Sequence, residues 1–189
     1  MDGPLLSPDE RLGDAIRTSA IPAGPAEFFA DLGSMAVALP VLAATLAYVT
    51  WRTRHRLPAL TAVVTMALVP ALVVPLKAWL ARPGPPPMAP ATGFYPSGHT
   101  ATAAVAYGLC ALLLYQVHRG RAAAHGRVGV VVVNAAVGLG LVRQGYHWPL
   151  DVLGSWCLSV LLLCGAAYVL SRSRRRSSSG TPRCCSGPS

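Results

Sequence analysis

Acidic residues are scarce in this chain, and where they are missing matters more than how few there are. Seven Asp and Glu stand against 16 Lys and Arg. Six of them (Asp2, Asp9, Glu10, Asp14, Glu27, Asp31) fall within the first 31 residues, and all that follows holds one, Asp151. Charged residues make up 12% of the chain, where a soluble domain carries about 25%. That shortage excludes an ordinary soluble enzyme and a metal site built from carboxylates. The five cysteines show no zinc-ligand spacing. Cys110, Cys157 and Cys164 sit in apolar runs and read as packing residues, while Cys184 and Cys185 lie near the C-terminus. The first 31 residues have neither a basic n-region nor an apolar h-region, so they do not read as a cleaved signal peptide. No internal repeat is visible.

What is present is apolar. Of 189 residues, 53% are hydrophobic, and the mean hydropathy is +0.47. A bilayer core takes about 20 apolar residues per helix. Uncharged runs cover Leu32–Trp51, Leu57–Leu76, Thr100–Val117 and Val152–Ser171. Val128–Val142 is shorter; among four full-length runs it reads as a fifth span, with Arg127 and Arg143 reaching the interfaces. The sequence therefore predicts an all-α, integral-membrane helical bundle of five transmembrane helices. Residues 1–31 form a polar, interfacial segment with one short helix over 9–20 and irregular chain elsewhere. Residues 32–171 form the membrane domain, and residues 172–189 a basic, disordered tail.

Lysine and arginine favour the cytoplasmic side of a membrane. Eleven arginines (52, 54, 56, 119, 121, 127, 172, 174, 175, 176 and 183) fall on one face, and five basic residues (Arg11, Arg17, Lys77, Arg82, Arg143) on the other. This predicts an outward N-terminus, outward loops at 77–99 and 143–151, and a cytoplasmic C-terminus in the cell membrane. The arginine runs also suit anionic lipid. No aromatic residue interleaves Arg172–Arg176, so nucleic acid is not an expected partner. No span carries a charge at its centre, which speaks against a transporter.

Polar residues converge at the outward ends of the spans. Lys77 closes the second, Pro96-Ser97-Gly98-His99 opens the third, and His147-Trp148-Pro149-Leu150-Asp151 opens the fifth. Helix N-termini bind anions, so the third and fifth spans could both point at one phosphate. Ser97 can cap its helix or bond a phosphate oxygen, and Gly98 permits close approach. Lys77, Arg82 and Arg143 supply positive charge, a set that suits phosphate and not a metal. His147 and Asp151 are four apart, so the carboxylate can fix one ring nitrogen and leave the other as nucleophile. His99 is placed to act as general acid. Singly, each residue has a plainer use: interfacial anchor for His147, helix cap for Ser97, dipole partner for Asp151. Jointly they describe phosphoryl transfer through a phosphohistidine.

On these residues the chain resembles the phosphatidic acid phosphatase type 2 family, whose catalytic core is shared with vanadium haloperoxidases. The family pattern is Lys-x6-Arg-Pro, Pro-Ser-Gly-His and Ser-Arg-x5-His-x3-Asp. Pro96–His99 matches the second block, and His147-x3-Asp151 the end of the third. The resemblance covers roughly residues 32–171. It implies a membrane lipid phosphatase without metal or other cofactor, acting on a lipid phosphomonoester or diphosphate at the outer face. Polyprenyl diphosphate, phosphatidic acid and phosphatidylglycerol phosphate are the substrates it suggests. By the same likeness His147 is the nucleophile, Asp151 its partner and His99 the acid, while Lys77, Ser97 and Gly98 hold phosphate. Both family arginines are displaced. Gly84 and Leu141 stand at their positions, and the nearest candidates are Arg82, two residues early, and Arg143, two late. Two residues of extended chain span about 7 Å, comparable to an arginine's reach, so substitution by Arg82 and Arg143 is feasible. The alternative is a degenerate member that binds a lipid phosphate or a protein partner without turnover.

Overall fold

In hydrocarbon, a chain satisfies its backbone polar groups within the segment, as helix. The computed structural model, which describes residues 6–118 and 120–178, follows that rule. Its helices are α1 (Leu6–Arg17), α2 (Ala23–Leu32), α3 (Met35–Thr53), α4 (Leu57–Leu80), α5 (Gly98–Val117), α6 (Arg121–Arg143) and α7 (Pro149–Ser178), with a short 3-10 turn at Pro86–Met88. Among the described residues there is no β-strand. Helices α3 to α7 are each long and apolar enough to cross a membrane. The short uncharged run at 128–142 belongs to a full-length helix, because α6 continues through Arg127 and ends on Arg143.

α5 is the central helix, packed against α3, α4, α6 and α7. Its buried faces carry small residues, Ala101, Ala103, Ala104, Ala106 and Gly108. In lipid, small side chains let helix backbones approach and gain packing contacts, which substitute for the missing hydrophobic drive. Pro70 and Pro75 lie inside α4, and the helix runs through both. Large apolar side chains face outward on α4, α6 and α7, among them Val63, Val64, Val131, Val132 and Leu161. That surface matches a hydrocarbon solvent.

Both ends of the chain differ from the sequence expectation. α1 covers Leu6–Arg17 rather than residues 9–20, and a second helix, α2, occupies a stretch expected to be irregular. Pro22 and Pro25 looked like breakers. Pro22 is the residue before α2 and Pro25 lies in its first turn, where a missing N–H costs nothing. α2 packs mainly on α6, and α1 on α6 and α7, so the N-terminal segment is part of the bundle. At the other end α7 runs to Ser178, past the expected start of the tail at 172. Arginine is a good helix former, and an existing helix extends more readily than a new one starts. Arg119, and the tail from residue 179 with Arg183, Cys184 and Cys185, lie outside the described residues.

Candidate active site

Lys77 near the end of α4, Gly98 and His99 at the start of α5, and His147 just before α7 line one cavity of about 560 Å³. Its remaining wall is almost wholly apolar, with Leu39, Met66, Val69 and Val73 from α3 and α4. A second cavity of about 510 Å³ shares Lys77, His99 and His147 and continues past Asp31, Thr92 and Tyr146. The two histidines and the lysine thus sit where an apolar groove meets a more polar one. Among the described residues, Lys77 is the only Lys or Arg lining either cavity.

The first turns of α5 and α7 are stitched together. Ser97 N–H donates to the Asp151 carbonyl at 3.2 Å. Ser155 Oγ lies 2.9 Å from the Ser97 carbonyl and 2.7 Å from the Asp151 carbonyl. Ser97 is fully buried, and its Oγ accepts from Thr100 N–H at 3.3 Å. Of its two uses, the structure shows the cap. Gly98 and His99, whose N–H groups have no partner within the helix, line the cavity.

Asp151 is fully buried. Its Oδ2 lies 3.4 Å from His147 Nδ1 and accepts from Trp148 N–H at 3.0 Å. With Nδ1 turned to the carboxylate, Nε2 is the free nitrogen of His147. The Phe94 ring meets the imidazole edge-on, at 5.7 Å between centroids.

Neither arginine of the expected phosphate set lines these cavities. Arg82 Nη1 donates to Asp151 Oδ1 at 2.6 Å, and Nη2 donates to Asp9 Oδ2. Arg82 is therefore taken up between two carboxylates and lines neither cavity. Arg143 Nε donates to the Ile21 carbonyl at 2.9 Å and also lines neither cavity. The expectation that both reach the phosphate treated the chain as extended. Residues 141 and 143 both lie in α6, where two residues turn the side chain by about 200°. Leu141, at the family position, does line the second cavity. At the other family position, a Cβ on Gly84 would lie 2.6 Å from the Phe94 ring, so no arginine fits there without moving Phe94.

The structure also adds residues that sequence reasoning passed over. Asp9 in α1 is buried, and its Oδ1 accepts from Leu150 N–H at 2.8 Å. The start of α7 is thereby capped from another helix, so of the two helix ends expected to face an anion only α5 keeps its N–H groups free. Residue type alone does not separate Asp9 from the other five N-terminal acids. Its one signal is Gly13, four residues on and buried on the same face of α1. A Cβ on Gly13 would lie 2.7 Å from the Trp148 ring, so α1 seats closely on the loop that carries His147. Asp31 and Phe94 likewise join the site only through the fold.

Comparison with known proteins gives a consistent picture. The family model described as the PAP2 superfamily matches residues 58–175. Among solved structures, a transmembrane PAP2 type phosphatidylglycerolphosphate phosphatase from Bacillus subtilis is similar. It has a TM-score of 0.80 and 23% identity, over 90% of this chain and 88% of that one. The LpxE structure from Aquifex aeolicus is similar at a TM-score of 0.64 and 21% identity, over 84% of this chain and 93% of that one. At these identities the likeness is one of fold. No curated protein matches the sequence.

Proposed function

The chain belongs to the PAP2 superfamily, and from that premise we propose that it is a membrane lipid phosphatase working through a phosphohistidine. One observation carries the reading: His147, backed by Asp151, shares with His99 and Lys77 the junction of an apolar groove and a polar cavity. The apolar groove takes the lipid chain, and the junction takes the phosphate. Lys77 and the N–H groups at the start of α5 hold the phosphate oxygens.

His147 Nε2 attacks phosphorus and the bond from phosphorus to the lipid oxygen breaks. His99 gives that oxygen a proton, and the lipid alcohol or lipid monophosphate leaves. Water then attacks the phosphohistidine, His99 takes its proton, and inorganic phosphate departs with His147 restored. Asp151 holds the imidazole in one orientation throughout. No step calls for a metal or another cofactor. The substrate is a lipid phosphomonoester or diphosphate, such as phosphatidylglycerol phosphate, phosphatidic acid or a polyprenyl diphosphate. The first is the substrate named for the Bacillus subtilis structure. The arginine distribution supports a multi-pass cell-membrane protein with this site on the outer face.

Purified protein in detergent is expected to release phosphate from such lipids in the presence of a chelator. His147→Ala is expected to lower the rate by at least about 10³-fold, as loss of a nucleophile does. Undiminished release by that variant ends the nucleophile assignment. A second reading, lipid-phosphate binding without turnover, draws on Leu141 and Gly84 at the family arginine positions and on the engagement of Arg82 and Arg143 elsewhere. Saturable binding of a lipid phosphate with no release from any of the three lipids establishes it.

A further inference from the structure

Asp151 poses a problem that the family motif does not solve. It is a fully buried carboxylate, and such a charge is costly unless it is paired and hydrogen-bonded on every side. Its Oδ2 is met by Trp148 N–H and faces His147 Nδ1. Its Oδ1 depends on Arg82. Arg82 lies beyond the end of α4, and one hydrogen bond through Nη1 leaves a planar guanidinium free to pivot. Asp9 removes that freedom. Its Oδ2 holds the other Nη of Arg82, while its Oδ1 accepts from Leu150 N–H, one residue before Asp151. A guanidinium gripped at both Nη groups is fixed in plane as well as position. Asp9 thus ties together the two things that set the Asp151 carboxylate: its arginine and the start of its helix.

Resting on the phosphatase reading above, we propose that Asp9, on a helix outside the family-matched region, is a positioning residue for His147. It acts through Arg82 and Asp151, and Arg82 is part of that support rather than a phosphate ligand. Three observations agree: Arg82 lines neither cavity, its side chain is 12% exposed, and it sits between two buried carboxylates. α1 is accordingly a working part of the site. The close seating of Gly13 on Trp148 holds Asp9 in register with Leu150.

The test compares Asp9→Asn, Arg82→Gln and the double variant in detergent-purified protein. Asp14→Asn serves as a control on the same helix, since the Asp14 side chain is half-exposed and pairs with Arg17. Asp9→Asn is expected to lower kcat by about 10- to 100-fold, the range seen when a partner that orients a metal-ligating histidine or carboxylate is removed. KM is expected to stay within about twofold, and Asp14→Asn to match wild type. In the Arg82→Gln background, Asp9→Asn should add little, because the two act as one unit. A raised KM with kcat intact assigns Arg82 to the phosphate and overturns the proposal; so does an unchanged kcat.

A second readout stands apart from turnover. Carbethoxylation of His147 by diethyl pyrocarbonate, followed by mass spectrometry, is expected to change severalfold in Asp9→Asn while His99 reacts as in wild type. If wild type releases no phosphate, the phosphatase reading falls and this rate alone decides: a changed His147 rate keeps the positioning role, and an equal rate ends it. Should Asp9→Asn fail to fold, Arg82→Lys replaces it. An ammonium does not bridge two carboxylates in the manner of a fork, so the same loss in kcat and the same change at His147 are expected, and their absence is decisive against the proposal.

Discussion

At the scale of single residues, the site is poor in positive charge. Lys77 is the one lysine or arginine lining either cavity among the described residues, and Leu141 stands where the family pattern has arginine. Two expectations follow. Lys77→Ala should raise KM by about 10-fold or more, since a charge-assisted contact to phosphate is worth about 1.5–3 kcal/mol; steady-state phosphate release reads it. Arg143→Ala should leave KM within about twofold, because its guanidinium is engaged with the Ile21 carbonyl. An inhibition constant for inorganic phosphate measured on both variants separates the roles: it should weaken for the first and hold for the second. Lys77, His99, His147 and Asp151 were legible as a cluster from residue type and spacing. The fates of Arg82 and Arg143 were not. Reach along the chain says nothing about direction, and direction in a helix turns by about 100° per residue.

At the scale of elements, α4 and α5 share the work. α5 brings the Ser-Gly-His turn to the site and fills the middle of the bundle with alanines, while α4 supplies Lys77 and much of the apolar wall. Val73 on α4 is buried against the core and lines the groove one helical turn below Lys77. Val73→Phe should obstruct the groove and raise KM for a long-chain lipid phosphate by about 10-fold, a loss of about 1.4 kcal/mol of binding. Hydrolysis of a short-chain, water-soluble phosphate ester should change little. Equal loss on both substrates would mean that the groove does not hold the chain. The helical character of α3 to α7 was readable from run length alone, because a membrane leaves no alternative for the backbone. α2 was not readable in that way. Its prolines occupy the positions where helices tolerate them, and only its packing against α6 reveals it.

For the whole molecule, orientation decides which leaflet the chemistry serves. The arginines at the ends of α3, α6 and α7 outnumber the basic residues at the site end, which supports the proposed outward-facing site. In a background without native cysteines, Thr92→Cys beside the second cavity should react with a membrane-impermeant maleimide in intact cells. His55→Cys in the loop between α3 and α4 should react only after lysis. The reverse pattern inverts the topology and moves the chemistry to the cytoplasmic leaflet.

The sequence by itself determined the helical, membrane-crossing character of the chain, its five spans and the pairing of His147 with Asp151. Each follows from local rules: the thickness of hydrocarbon, the demand for internal hydrogen bonds, and the four-residue spacing that lets Asp151 meet His147. The tertiary structure alone decided what surrounds that pair. Asp9 and Arg82 are separated by 73 residues and Arg82 and Asp151 by 69, so no local rule joins them. They meet because α1 seats on the loop before α7, with the buried Gly13 at the contact, and because two buried carboxylates need the one guanidinium between them.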